Sequence, residues 1–335
     1  MAISMEQDRS ADRRFWERFP LVALIARRLA LSALLLVAVS LLIFGGIEAL
    51  PGDFATTYLG QSATPQAVAN IRTELGLDRP FAVRYFEWLG GALRGDFGKS
   101  WASRNSVSEQ ISNRLGNSLL LAFLAAVIAV PLAVALGMLA VHHRNRITDR
   151  IINVVSLAAI SLPEFFVGYL LILLFAVNLG AATFPATVYE GMGLGERLKA
   201  LALPTATLVF AVLAHMMRMT RAAILSVMAS AYMETAELKG LSALRAIVRH
   251  AAPNAVAPIV NVIALNLAYL VVGVVVVEVI FVYPGMGQYM VDAVTVRDMP
   301  VVQACGLIFA AVYILLNMLA DIIAILSNPR LRHPR

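Results

Sequence analysis

The sequence predicts an all-α, polytopic membrane protein with six transmembrane helices and with its N- and C-termini on the cytoplasmic side. Three observations carry that expectation. Hydrophobic residues make up 60% of the 335 residues and charged residues only 14%, with a mean hydropathy of +0.78, far from the composition of a soluble globular domain. Six apolar segments each supply the roughly 20 residues that a helix rising ~1.5 Å per residue needs to cross the hydrocarbon. The larger share of the 27 Lys and Arg falls where this topology puts the cytoplasm, as expected for short inner loops.

The elements follow in order. Residues 1–28 form a charged cytoplasmic N-terminus. The first span, Leu29 to Leu50, is longer than the roughly 7–15 apolar residues of a cleavable signal core, so it reads as an anchor. Residues 51–116 are expected as a periplasmic loop with short helices, in which Tyr85, Trp88 and Trp101 suit the membrane interface. The next spans are Asn117 to Val141, Ile151 to Leu179 and Leu201 to Ile224. A charged cytoplasmic loop, 226–254, leads to the fifth span, Ala255 to Val282. A periplasmic loop, 283–300, leads to the sixth, Val301 to Leu326. Glu48 and Glu278, near outer span ends, are expected to snorkel to water. No soluble segment is large enough for a core of its own, so 1–335 reads as a single transmembrane domain.

Several function classes are excluded. The net charge of +6 follows from the inner loops and does not indicate nucleic-acid binding. Gly98-Lys99-Ser100 looks like the end of a phosphate-binding loop, but the glycine required five residues earlier is Leu93. Energy must therefore come from another polypeptide. The five histidines show no metal-ligand spacing, the single Cys305 suits a small buried hydrophobe, and no catalytic motif is present. No enzyme activity and no cofactor are expected of this chain.

The most informative segment is Tyr232 to Pro258, a polar insert between two apolar spans. Ser230 to Leu238 has helix-forming composition, Gly240 permits a turn, Ser242 can cap a second helix, and Pro253 and Pro258 suit a helix start. Charge pattern alone leaves this as an ordinary solvated loop. Glu234, Thr235 and Ala236, followed by Gly240 and Pro253, resemble the EAA loop through which bacterial ABC importer permeases grip their ATPases (E-A-A, x3, G, x9, I-x-L-P). Thr235, His250 and Ala252 depart from the general pattern, and Thr235 and His250 match the dipeptide/oligopeptide/nickel branch. The order of Pro51-Gly52-Asp53, Leu75 to Pro80, Gly95 to Ser100 and Tyr283 to Ala304 is similar to that branch as well.

The resemblance implies a type I ABC importer permease fold and a set of partners. These are a second permease subunit, two ATPase subunits carrying ATP and Mg, and a periplasmic solute-binding protein, with peptides or related small solutes as cargo. It assigns ATPase coupling to Glu234, Thr235, Ala236, Glu237, Gly240 and Pro253: glutamate by charge pairing, alanine by close packing and glycine by the turn.

Polar groups inside spans are costly and mark candidate sites. Asn266, Glu164, and Tyr313 with Asn317 at helical spacing either line a solute path or join helices by hydrogen bonds. Asp321 reads as interfacial. The outer block from Tyr283 to Pro300 is either a capping helix, with Pro284, Gly285 and Gly287 breaking the span and Arg297 and Asp298 meeting the binding protein, or a structural turn. A secondary transporter or channel is the alternative class. It would show ion-coupling acids at the midplane or an inverted repeat, and neither is visible.

Overall fold

A computed structural model describes residues 20–49, 54–189 and 191–327. Pro51-Gly52-Asp53, His333 and the basic residues of 1–19 and 328–335 lie outside the described residues, as does the side chain of Glu237.

Helix α1 spans Pro20–Glu48. Three short helices follow: α2 (Phe54–Leu59), α3 (Pro65–Glu74) and α4 (Phe81–Ala92). Helix α5 covers Val107–His142, α6 Ile147–Ser161, and α7 Glu164–Leu171 with a π-helical continuation Ile172–Asn178. Helix α8 is Leu194–Met228 and α9 Ala231–Leu238. A broken stretch comprises α10 (Ala243–Ala246), a π turn (Ile247–Ala251) and α11 (Ala252–Asn254). Helices α12 (Val256–Phe281), α13 (Met286–Thr295) and α14 (Met299–Ser327) complete the described chain. Local sequence sets several of these starts. Thr64 accepts from Ala67 N ahead of Pro65, and Ser106 accepts from Glu109 N to open α5.

Among the described residues five helices are long and apolar enough to cross a membrane: α1, α5, α8, α12 and α14. The third expected span, Ile151 to Leu179, is not continuous. Residues 147–178 form two helices bent by 100° at Leu162-Pro163, because Pro163 cannot continue the α6 hydrogen-bond ladder and holds Leu162 extended (ψ 128°). Two spans also begin earlier than apolarity suggests, at Val107 rather than Asn117 and at Leu194 rather than Leu201.

Helices α5, α8 and α12 make the centre. Leu121, Ala125, Ala129 and Ala133 recur every fourth residue on α5 and are all fully buried, a small-residue stripe that lets helices approach closely. They pack with Leu208, Val212 and Met216 of α8 and Val262, Leu270 and Val274 of α12. At Gly137 the approach is so tight that a Cβ would lie 2.9 Å from Thr220 Cγ2. By contrast α1 leaves Leu34, Leu35, Val37 and Leu42 exposed, a face suited to lipid or a neighbouring subunit.

The chain ends of the bundle are placed by contacts. Arg28 Nη1 stands 2.7 Å from Asp321 Oδ2, so α1 begins where α14 ends. We call the end holding 143–146 and 229–255 the lower end and the opposite end the upper end. At the upper end α4 lies on α1. Tyr85, expected at the interface, is instead buried, with its hydroxyl 2.9 Å from Ser40 Oγ, amid Phe44, Phe81 and Trp88. Glu48 does not simply reach for water: it accepts from Nη1 and Nη2 of Arg84.

Candidate functional site

The lower end presents the sequence-predicted segment as an elbow. Helix α9 forms where its composition allows and ends at Gly240, whose φ of +78° lies in the left-handed region that a Cβ resists. Leu241 N donates to Ala236 O across this turn at 3.3 Å, the long bond of a Schellman end. Ser242 takes the N-cap position of α10 without a side-chain cap bond. Pro253 sits in the first turn of α11 and Pro258 in the first turn of α12, where a missing N–H is harmless.

One residue anchors the elbow. Met233 is fully buried and packs in a cluster with Val141 of α5, Ile224 of α8, Ile247, Ala251, Ala255 and Ile259. The ends of α5 and α8 and the start of α12 therefore meet under α9. The other side faces outward: Glu234, Thr235 and Gly240 are exposed and Ala236 is half-buried. Beside them stand apolar side chains that loops rarely display, Leu238 at 83% exposure, Leu244 at 57% and Tyr232 at 46%. Sequence reasoning named the acidic and small residues and missed Met233 and Leu238. An eight-residue helix is too short for periodicity to reveal which apolar residue turns inward.

Another unforeseen feature joins α6 to α8. Asp149 is buried and receives Arg221 Nε and Nη2, each at 2.9 Å, with Asn145 N at 3.2 Å and Asn153 Nδ2 at 2.8 Å. Such a bidentate, charge-assisted pair fixes geometry as well as energy. The partners are 72 residues apart, so no local signal could pair them.

At the upper end two carboxylates act inside the protein. Glu278, expected to snorkel, is fully buried; Ser118 Oγ donates to it at 2.5 Å, Gly287 N at 2.7 Å and Gln288 N at 3.2 Å. Ser118 Oγ in turn accepts from Met286 N at 2.8 Å. Gly285 must be glycine, since a Cβ there would fall 2.0 Å from Glu278 Oε1. The span ends before the expected Pro284, Gly285 and Gly287, at Val282 in the left-handed region (φ 53°), and the outer block does form a helix, α13. Asp298 is likewise no surface contact. It is 2% exposed and accepts from Ser100 Oγ, Trp101 N and Ala102 N, closing the 98–106 loop onto the α13–α14 junction. Arg297 is half-buried with φ 58°.

The intramembrane candidates separate. Asn266 is buried, with Oδ1 3.2 Å from His215 Nδ1 and Nδ2 donating to Val262 O. Glu164 opens α7 and lies against Gly273 of α12. Tyr313 and Asn317 stand apart from both: Asn317 Nδ2 donates to Tyr313 O within α14, and Tyr313 faces a groove toward α1.

This arrangement, long apolar spans with a polar elbow packed under three of them, is found with two family matches that cover most of the chain. Residues 129–333 match the binding-protein-dependent transport system inner membrane component, and residues 21–122 match the N-terminal part of such membrane components. The chain belongs to this family. It is a multi-pass bacterial inner-membrane permease of a binding-protein-dependent import system. The glutathione transport system permease protein GsiC of Salmonella choleraesuis is 36% identical over 310 residues, covering 92% of this permease and 98% of the relative. GsiC of Escherichia coli K12 is 37% identical over 296 residues, covering 88% and 94%. A probable peptide ABC transporter permease protein, y4tP of Sinorhizobium fredii, is 36% identical over 309 residues, covering 92% and 99%.

Proposed function

We propose that this permease forms, with a second permease subunit, the path by which peptides or related small solutes enter the cell. Two ATPase subunits drive it and a periplasmic solute-binding protein supplies it. In this reading the lower end faces the cytoplasm and the upper end the periplasm. ATP and Mg reside on the ATPase subunits. The names of the relatives, for glutathione and for peptide transport, support this cargo class.

The observation that carries the coupling assignment is the two-sided elbow. Its inner side, through Met233, is continuous with the ends of α5, α8 and α12. Its outer side offers Leu238, Leu244 and Tyr232 around Glu234 and Thr235. An apolar knob ringed by polar groups suits a protein groove. Because close-packed helices move as rigid bodies, pressure on α9 reaches three spans at once. Glu234 pairs with a basic groove residue, Ala236 permits close approach, and Gly240 with Pro253 sets the angle at which the chain returns to the membrane. Glu237 belongs to the same coupling set.

The test uses the assembled importer in lipid. Leu238→Glu is expected to lower binding-protein-stimulated ATP hydrolysis at least tenfold and to release the ATPases on size exclusion. Gly240→Pro, which cannot adopt a positive φ, is expected to do the same. Stimulation and assembly equal to the parent in both variants would remove the assignment.

A further inference from the structure

One flank of α12 gathers polar groups from three helices inside the membrane-spanning part. The exposed residues Pro258, Asn261, Leu265, Tyr269, Val272 and Val276 repeat every three or four positions and form one stripe. Beside that stripe, on the side turned to α7 and α8, lie Asn266 and Gly273. Asn266 meets His215, which is exposed on α8. Two turns higher, roughly 10 Å along the helix, Glu164 Oε2 stands 3.1 Å from where a Cβ on Gly273 would be. Tyr269, 52% exposed, lies between them.

Among the described residues Glu164 is the only carboxylate with an enclosed oxygen that has no partner. Its Oε2 is closed off from solvent without a hydrogen-bond partner, and no ion pair among the described residues includes it. Glu164 as a whole is half-buried, whereas the fully buried carboxylates Asp149, Glu278 and Asp298 each hold three or more donors or a bidentate arginine. A carboxylate at this depth is costly when alone and calls for a cation from outside the chain. The bend at Pro163 delivers it there, and the missing side chain at Gly273 makes room for it.

We propose that Glu164 is the cation-recognising group of the solute path, and that this permease passes solutes bearing a protonated amine. The ammonium pairs with Glu164 while Tyr269 and His215 continue the polar wall below it. The inference rests on the proposed peptide-like cargo and adds the chemical feature of that cargo which the spans themselves read.

The experiment uses the complete importer in proteoliposomes and a dipeptide with a free amino terminus. Glu164→Gln is expected to cut uptake at saturating binding protein at least tenfold, with Glu164→Asp recovering a substantial part, while complex assembly and thermal midpoint stay at the parent's values. In the parent, a hydrophobic carbodiimide is expected to modify Glu164, read by mass spectrometry. The free-amine dipeptide should protect it severalfold and the N-acetylated dipeptide should not. Parent-like uptake by Glu164→Gln, loss of assembly with uptake, equal protection by both peptides, or no modification without peptide would each overturn the proposal. The last result would mean that a neighbouring subunit already neutralises the carboxylate. Should the parent take up no dipeptide while its ATPase is still stimulated, the peptide cargo and this inference fall together and the coupling assignment stands.

Discussion

The upper and lower ends of the permease are held by different physics. At the upper end, Glu278 and Asp298 draw together segments separated by as many as 198 residues, each through three direct hydrogen bonds. At the lower end the elbow rests on the burial of Met233 among aliphatic side chains, and its polar groups point away. Hydrogen bonds are directional and fix one geometry, whereas apolar contact tolerates small slides of one surface on another. The comparison teaches that one end is built to keep its shape around α13, and that the other rests on contacts that allow it to slide, as the proposed coupling requires.

The largest effect should come from removing the upper lock. Glu278→Leu leaves Gly287 N and Gln288 N without an acceptor and Ser118 Oγ with only its longer bond to Arg114 O, and each buried unsatisfied donor costs about 1–3 kcal/mol. The expected outcome is a protein that unfolds on extraction or shows a steeply lowered thermal midpoint. A midpoint equal to the parent's would erase the contrast between the ends.

Met233→Ala should rank second, costing about 2–5 kcal/mol, the usual range for truncating a buried methionine. Leu238→Ser, about one and a half turns away and exposed, should leave the midpoint unchanged while weakening the proposed ATPase contact. Denaturation of the two variants side by side sharpens the inner-versus-outer division of the elbow. Equal losses would mean that α9 has no free face.

The smallest effect concerns a surface pair at the upper end. The Arg79 guanidinium hydrogen-bonds Glu87 and holds its carboxyl below the usual range. A carboxyl whose folded value is depressed contributes stability above its unfolded value, roughly 4.3, and loses it as pH falls through the folded value. Glu87→Gln should therefore lower the midpoint slightly at neutral pH, with the difference from the parent vanishing in acid. The pair is fully exposed, so the difference should also shrink in salt.

Much of the fold was legible because lipid imposes a simple rule. A segment of about 20 apolar residues must be helical to satisfy its backbone; the spans read from Asn117, Leu201 and Val301 lie within longer helices, and those read from Leu29 and Ala255 correspond to helices Pro20–Glu48 and Val256–Phe281. The elbow was legible too, since Gly240 and the two prolines are backbone constraints written in single residues. The bend in the third span was not legible because apolarity runs unbroken across Pro163 while the helix does not. Glu278 was misjudged, and Asp298 was left between a binding-protein contact and a structural turn, because position near a span end says nothing about which donors wait there.

The sequence by itself determined the solvent, the helices, the elbow and the family, since these depend on composition, local backbone preference and short motifs. Only the tertiary structure decided that Asp149 meets Arg221, that Ser118 and Ser100 reach Glu278 and Asp298, and that Glu164 lies unmatched against Gly273. The reason is physical. Those partners stand far apart along the chain and meet only when the helices pack, so no local preference encodes them.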